Sequence, residues 1–261
     1  MLPKEYDIAG KVVLITGAGR GIGRGIAEVL AEAGADIALN ALTNKYVEKN
    51  AREIAAASGR RVIPLIADVT KSDTVQKAVD TVLKEFGRLD VLINCLGDAM
   101  RQPLVKLPDK EGKTISDEDL KKIIDVNMMA AILCTRAVGP HFLERRSGKI
   151  INISSTTAGK GGGDLVIYSL AKSAVIGFTR TQALEWARYN IQINSISPGL
   201  FPDVHTYGAG RPGQLDAINR RIPVGRTGLV REAGLLALYL ASPASDYLTG
   251  QTIFLDGGMS L

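Results

Sequence analysis

Seven short runs of β-branched and aliphatic residues recur along this chain, and they restrict its fold more than any other feature. They lie at 11–15 (KVVLI), 36–39 (DIAL), 62–66 (VIPLI), 89–93 (LDVLI), 149–153 (KIINI), 191–196 (IQINSI) and 252–255 (TIFL). Each has strand length and is apolar without clean alternation, as expected of strands buried on both faces. Between the early runs lie GIGRGIAEVLAEAG, KYVEKNAREIAAASG and SDTVQKAVDTVLKEFG. These have helical periodicity, and each closes on a glycine suited to a helix C-cap. Repeated strand–helix–strand units imply an α/β fold: a Rossmann-type, doubly wound parallel sheet with helices on both faces. No linker or repeat divides the 261 residues, so a single domain over 1–261 is expected. In such a sheet the loops after the strand C-termini form the ligand crevice. The least regular stretches, 98–117 and 200–225, are rich in Pro, Gly and charge; the second is expected to act as a substrate lid.

Composition narrows the partners. The chain carries 32 basic and 27 acidic side chains, a net charge of +5, but no Lys/Arg block that would track a phosphate backbone. A nucleic-acid partner is therefore not expected, and a mild positive excess suits an anionic cofactor. Cys95 and Cys134 sit in apolar segments and read as reduced, buried thiols. With His141 and His205 the only histidines, no metal site is expected. The first residues lack the pattern of a signal peptide, and no apolar run has bilayer length, so a cytoplasmic protein without a membrane partner is expected.

The first strand runs into Thr16-Gly17-Ala18-Gly19-Arg20-Gly21-Ile22-Gly23 and then a helical pattern. Glycines 17, 21 and 23 permit a tight turn, close approach of backbone to a pyrophosphate, and close helix–strand packing. The helix N-terminus adds unpaired N–H groups and partial positive charge. The spacing is G-x-x-x-G-x-G, and the strand–turn–helix context is what makes it informative.

Tyr168 and Lys172 stand one helical turn apart within IYSLAKSAVIGFTRTQALEW, so both side chains share a face. Ser155 follows the run KIINI and points toward the mouth of the crevice. A free phenol is a weak base at neutral pH, its pKa being near ~10. A neighbouring ammonium and the positive charge of an oxidised nicotinamide favour phenolate. A serine hydroxyl can meanwhile hold the substrate oxygen while a hydride moves.

TGAGRGIG at 16–23, Asp68-Val69, NCLG at 94–97, Asn127 in DVNMM, Ser155, YSLAK at 168–172 and Pro198-Gly199 together resemble the short-chain dehydrogenase/reductase family. The similarity extends over essentially the whole chain. Within the family it points to the 3-oxoacyl-reductase-like and gluconate- or glucose-dehydrogenase-like members. The resemblance implies a homotetramer, Tyr168 as general acid/base, and Ser155 as orienter of the carbonyl. It assigns Lys172 to the nicotinamide ribose and to lowering the Tyr168 pKa, and Asn127 to a water feeding a proton relay. Gly17, Arg20, Gly21, Ile22 and Gly23 would hold the pyrophosphate side. Ala41, Thr43, Asp68, Val69 and Asn94 would lie toward the adenosine, and Gly97, Pro198 and Gly199 toward the nicotinamide. The chain departs from the pattern at Leu96, where a small residue is usual, and in a longer segment between Gly97 and Asn127.

The function expected is hydride transfer between a nicotinamide and a carbonyl or secondary alcohol. A non-catalytic dinucleotide sensor has no need of the Ser155–Tyr168–Lys172 set. A nucleotide-sugar epimerase or dehydratase needs more chain after Lys172 for a sugar-nucleotide domain. NADP(H) is favoured over NAD(H): the position at which NAD enzymes carry a carboxylate for the ribose 2′-hydroxyl is Ala41, with Arg20 nearby. Arg101, Arg211, Arg220 and Arg221 fall in the two irregular stretches and suit an anionic substrate.

Overall fold

The structure is a computed structural model and describes residues 3–109, 111–202 and 214–261. Seven strands form one sheet in the order β3-β2-β1-β4-β5-β6-β7. They are β1 (Val12–Ile15), β2 (Asp36–Ala41), β3 (Val62–Ile66), β4 (Val91–Asn94), β5 (Gly148–Ile153), β6 (Ile191–Pro198) and β7 (Thr252–Leu255). Every pairing is parallel, with Val13 opposite Ile37 on one side and Val91 on the other. All seven expected strands are present; β2 and β6 run two residues further than their apolar runs, to Ala41 and Pro198.

The helices are α1 (Gly21–Glu32), α2 (Asn44–Ser58), α3 (Ser72–Phe86), α4 (Asp117–Ile124), α5 (Ala130–Arg145), α6 (Thr157–Lys160), α7 (Val166–Trp186), α8 (Gln214–Asn219) and α9 (Val230–Ala241). Gly59 and Gly87 end α2 and α3 in the left-handed conformation, at φ 68° and 75°. That is the conformation a residue with a Cβ avoids, so these two glycines act as stop signals.

The sheet's core is divided by strand alternation. Val13 and Ile15 of β1 face α1, α2 and α9, whereas Val12 and Leu14 face α3 and α5. The central strands β1, β2, β4, β5 and β6 are buried on both faces, which accounts for their continuous apolar runs, whereas the edge strands β3 and β7 stay partly exposed. Helices α1 and α9 pack with almost no side chain between them: a Cβ on Gly25 would fall 2.6 Å from Val230 Cβ.

One expectation about the membrane needs correction. The continuous helical run from Asp117 to Arg145 is long and apolar enough to cross a bilayer by length and composition. Its apolar residues Ala130, Cys134, Val138 and Phe142 are instead buried in the core against the sheet.

The strand order reverses between β1 and β4, each of which has its next partner on the opposite side. Loops diverge at that point and leave a crevice at the strands' carboxyl ends. Both sequence signatures, the glycine turn after β1 and the Ser155 loop after β5, emerge at this end.

Candidate active site

The glycine turn fills the crevice from below. Gly17 and Gly21 have φ of +65° and +57°, which only glycine adopts at little cost. Gly17 also touches the opposite strand end: a Cβ there would lie 2.7 Å from Leu96 Cα. A Cβ on Gly23 would lie 2.8 Å from Gly17 O, so the first turn of α1 rests directly on the loop. Arg20 occupies the N-cap in extended conformation and gives no side-chain cap. The leading N–H groups of α1 are thus left for an anion. Two braces hold the loop. Asn50 Nδ2 of α2 donates to Gly19 O at 2.8 Å and is itself held by Arg24 (3.0 Å). Thr16 Oγ1 accepts the N–H groups of Cys95 (3.1 Å) and Leu96 (3.3 Å), which fixes the NCLG segment across the crevice. Leu96 turns its bulk toward the core under α5. The cradle fits a dinucleotide pyrophosphate.

At the adenosine side, Ala41 ends β2, and a Cβ on Gly19 would stand 3.5 Å from its methyl group. Position 41 therefore faces the phosphate loop. Thr43 is an exposed N-cap of α2 without a side-chain cap bond. Asp68 Oδ1 accepts from Thr70 N and Oγ1, and Val69 is buried. The Asn94 side chain turns away from this region. Its Nδ2 donates to Asn152 Oδ1 (2.9 Å) and Thr135 Oγ1 (3.2 Å), because its side chain leaves β4 on the face that α5 covers. It ties two strands to a helix.

Ser155, Tyr168 and Lys172 converge beside the crevice. The Ser155 hydroxyl lies close enough to the Tyr168 phenol to favour its ionised form, and it accepts Thr157 N–H at 3.2 Å and Thr157 Oγ1 at 3.0 Å. Lys172 is only 3% exposed, and its Nζ donates to Ile153 O at 2.9 Å. A Cβ on Gly97 would lie 3.1 Å from Lys172 Nζ and 3.1 Å from Asn127 Oδ1, so the NCLG segment closes over both. Burial lowers the Lys172 pKa to about 8, against some support from Cys95.

The expected lowering of the Tyr168 pKa does not hold in the protein alone. Burial pushes the phenol up, the neighbouring Ser155 hydroxyl offsets part of this, and the Asp98 carboxylate adds to the rise. Lys172 Nζ stands 5.9 Å from the centre of the phenol ring, and its own ammonium is disfavoured by the same burial.

Asn127 sits in a π-helical turn, Asp125–Met129, where Ala130 N–H reaches back five residues to Asp125 O. Both ends of its side-chain amide bond to protein. Nδ2 donates to Asp98 O (2.7 Å) and Ile123 O (2.9 Å), and Oδ1 accepts Asp98 N–H at 3.2 Å. The amide therefore positions backbone on both sides of Asp98. Pro198 and Gly199 border the crevice from β6: Gly199 N–H donates to Leu255 O, and a Cβ on it would lie 2.8 Å from Asp256 Cα. Next to them a cavity of about 200 Å³ is lined by Leu200, Phe201, Ile222, Val224, Leu255 and Asp256, among others. Of the expected lid, residues 203–213, including His205, Thr206 and Arg211, lie outside the described residues. Arg101, Arg220 and Arg221 are exposed.

Sequence reasoning overlooked Thr16, Asn50 and Asp98. Thr16 and Asn50 act through hydrogen bonds to residues more than thirty positions away, and Asp98 falls in a stretch with no periodicity to place it.

A parallel sheet with an uncapped glycine turn at its switch point, and a Ser–Tyr–Lys cluster at the crevice mouth, defines a nicotinamide-dependent oxidoreductase acting on hydroxyl or carbonyl groups. Residues 17–260 match the family described as enoyl-(acyl carrier protein) reductase, and the chain belongs to the short-chain dehydrogenase/reductase family. It is 33% identical to the 3-oxoacyl-(acyl-carrier-protein) reductase of Thermotoga maritima over 252 residues, 97% of this chain and 98% of that protein. It is 35% identical over 260 residues to the 2-dehydro-3-deoxy-D-gluconate 5-dehydrogenase of Escherichia coli K12, covering 99% and 98%. Among solved structures, a gluconate 5-dehydrogenase from Burkholderia cenocepacia J2315 in complex with NADP and tartrate superposes with a TM-score of 0.88 at 34% identity, covering 98% of each chain.

Proposed function

We propose that the protein interconverts a secondary alcohol and a ketone on a small, anionic, hydroxylated substrate, with NADP(H) preferred over NAD(H). The observation that carries this reading is the convergence of Ser155, Tyr168 and Lys172 on one end of the dinucleotide crevice. An oxidised nicotinamide held in the crevice would supply the hydride acceptor, and its positive charge would favour phenolate at Tyr168. Tyr168 takes the alcohol proton, and Ser155 holds the substrate oxygen in line with it. Of the three donors of the Lys172 ammonium, one goes to Ile153 O. The others are suited to ribose hydroxyls.

The anionic substrate is supported by the exposed Arg101, Arg220 and Arg221 of the two irregular segments, and by relatives named for gluconate derivatives. The cofactor preference is supported by Ala41, which puts no carboxylate against a 2′-phosphate, and by adjacent Arg20. A homotetramer accords with edge strand β7, whose Phe254 remains 40% exposed in one chain. Light scattering that gives a monomer at micromolar concentration would remove that part.

The test is a turnover screen following nicotinamide absorbance with gluconate, related keto acids and simple alcohols, repeated with Tyr168→Phe. The variant should lose about 10²–10⁴ in kcat, the range for a positioned acid/base, while still binding cofactor. Retention of more than about a tenth of the wild-type rate would overturn the assignment.

A further inference from the structure

Among the described residues, Asp98 is a carboxylate whose charge bears on the Tyr168 phenol, and nothing in the reaction scheme above uses it. It follows Gly97, which sits against both Lys172 and Asn127. Its backbone is clamped on both sides: the Asn127 amide accepts the Asp98 N–H and donates to the Asp98 carbonyl. A clamped backbone limits where the side chain can go. One carboxylate oxygen, Oδ1, accepts the N–H of Ala99 at 2.9 Å. The residue is exposed, at the rim where the insert segment leaves the crevice.

We propose that Asp98 is a specificity residue whose second carboxylate oxygen accepts a hydrogen bond from a substrate hydroxyl next to the reacting carbon. The inference rests on the reading that substrate reacts at Tyr168. Charge decides what this oxygen can accept. A substrate carboxylate at that point would face Asp98 directly and be repelled. A substrate ammonium would be drawn to Asp98 but would crowd the buried Lys172 beside Gly97. A neutral hydroxyl donor avoids both conflicts and gains a charge-assisted bond. The site would therefore select vicinal diols and α-hydroxy ketones over simple alcohols and ketones. It would hold any substrate carboxylate further away.

The test measures kcat/KM for matched pairs, 2,3-butanediol against 2-butanol and trans-1,2-cyclohexanediol against cyclohexanol, in wild type, Asp98→Asn and Asp98→Ala. The wild type should prefer the diol about tenfold or more, the value of one charge-assisted bond. Asp98→Ala should erase the preference; because the same charge bears on Tyr168, the readout is the ratio within each pair at one pH rather than the monoalcohol rate itself. Asp98→Asn keeps the Ala99 bond and loses the charge, and should retain part of it. An unchanged preference in Asp98→Ala, or an equal loss on both members of each pair, overturns the proposal and leaves the catalytic reading standing. Failure of the wild type to oxidise any of these alcohols or gluconate would instead remove the catalytic reading and this inference with it.

Discussion

Lys172→Met should make the protein more stable at neutral pH while disabling it. Lys172 is an ammonium at 3% exposure whose one protein bond is to Ile153 O. Its pKa falls from 10.5 to about 8, chiefly through burial. A shift of that size is about 3 kcal/mol at ~1.4 kcal/mol per pKa unit, borne by the folded state whenever the lysine is charged. Methionine has similar length and no charge to bury. It forfeits the charge-assisted bond to Ile153 O, at about 1.5–3 kcal/mol. The net expectation at pH 7 is a gain of up to about 2 kcal/mol, or a few degrees in Tm for a chain of this size. The difference must depend on pH. Between pH 8 and 10.5 the unfolded lysine still holds its proton and the folded one has lost it, so wild-type stability rises with pH relative to the variant. The thiols of Cys95 and Cys134, pushed up to about 12, stay protonated in both folded proteins and cancel in the comparison. Urea unfolding of both proteins at pH 7 and pH 10, without cofactor, measures this. The variant should be the more stable at pH 7, and the order should close or reverse by pH 10. A variant less stable at pH 7, or a difference indifferent to pH, would refute the view that function keeps a costly charge here.

Ala41→Asp should weaken NADPH binding and spare or improve NADH binding. The new carboxylate would stand where Ala41 now faces Gly19, able to take a ribose 2′-hydroxyl and repel a 2′-phosphate. Fluorescence titration of both reduced cofactors checks this; tighter wild-type binding of NADH, or unchanged NADPH affinity in the variant, would be the contrary result.

Most of the fold could be read from the chain because burial on both faces leaves a one-dimensional mark. The seven strand runs, the Gly59 and Gly87 stops, and the strand–turn–helix around Gly17 are local patterns whose cause is local. The helical run 117–145 was less legible. Its hydrophobic face wraps a π turn and contains Pro140, so no simple 3.6-residue period marks it. In the site, Tyr168 and Lys172 were legible for the same reason as the strands: a four-residue spacing on a helix has only one geometric meaning.

Direction, unlike proximity, is not written in spacing. Asn94 stands at the end of β4, where the crevice opens, and its residue type suits a ligand; yet strand alternation turns its side chain to the α5 face and into a bond with Asn152. Asn127 lies beside the reacting groups, but its amide is spent on Asp98 and Ile123. The same amide holds the Asp98 backbone, so Asn127 also fixes the carboxylate proposed to face substrate. Sequence pattern thus identified which segments meet at the crevice. Which atoms remain available there depends on hydrogen bonds between residues 29 positions apart, as Asn127 and Asp98 are, and no local period records those.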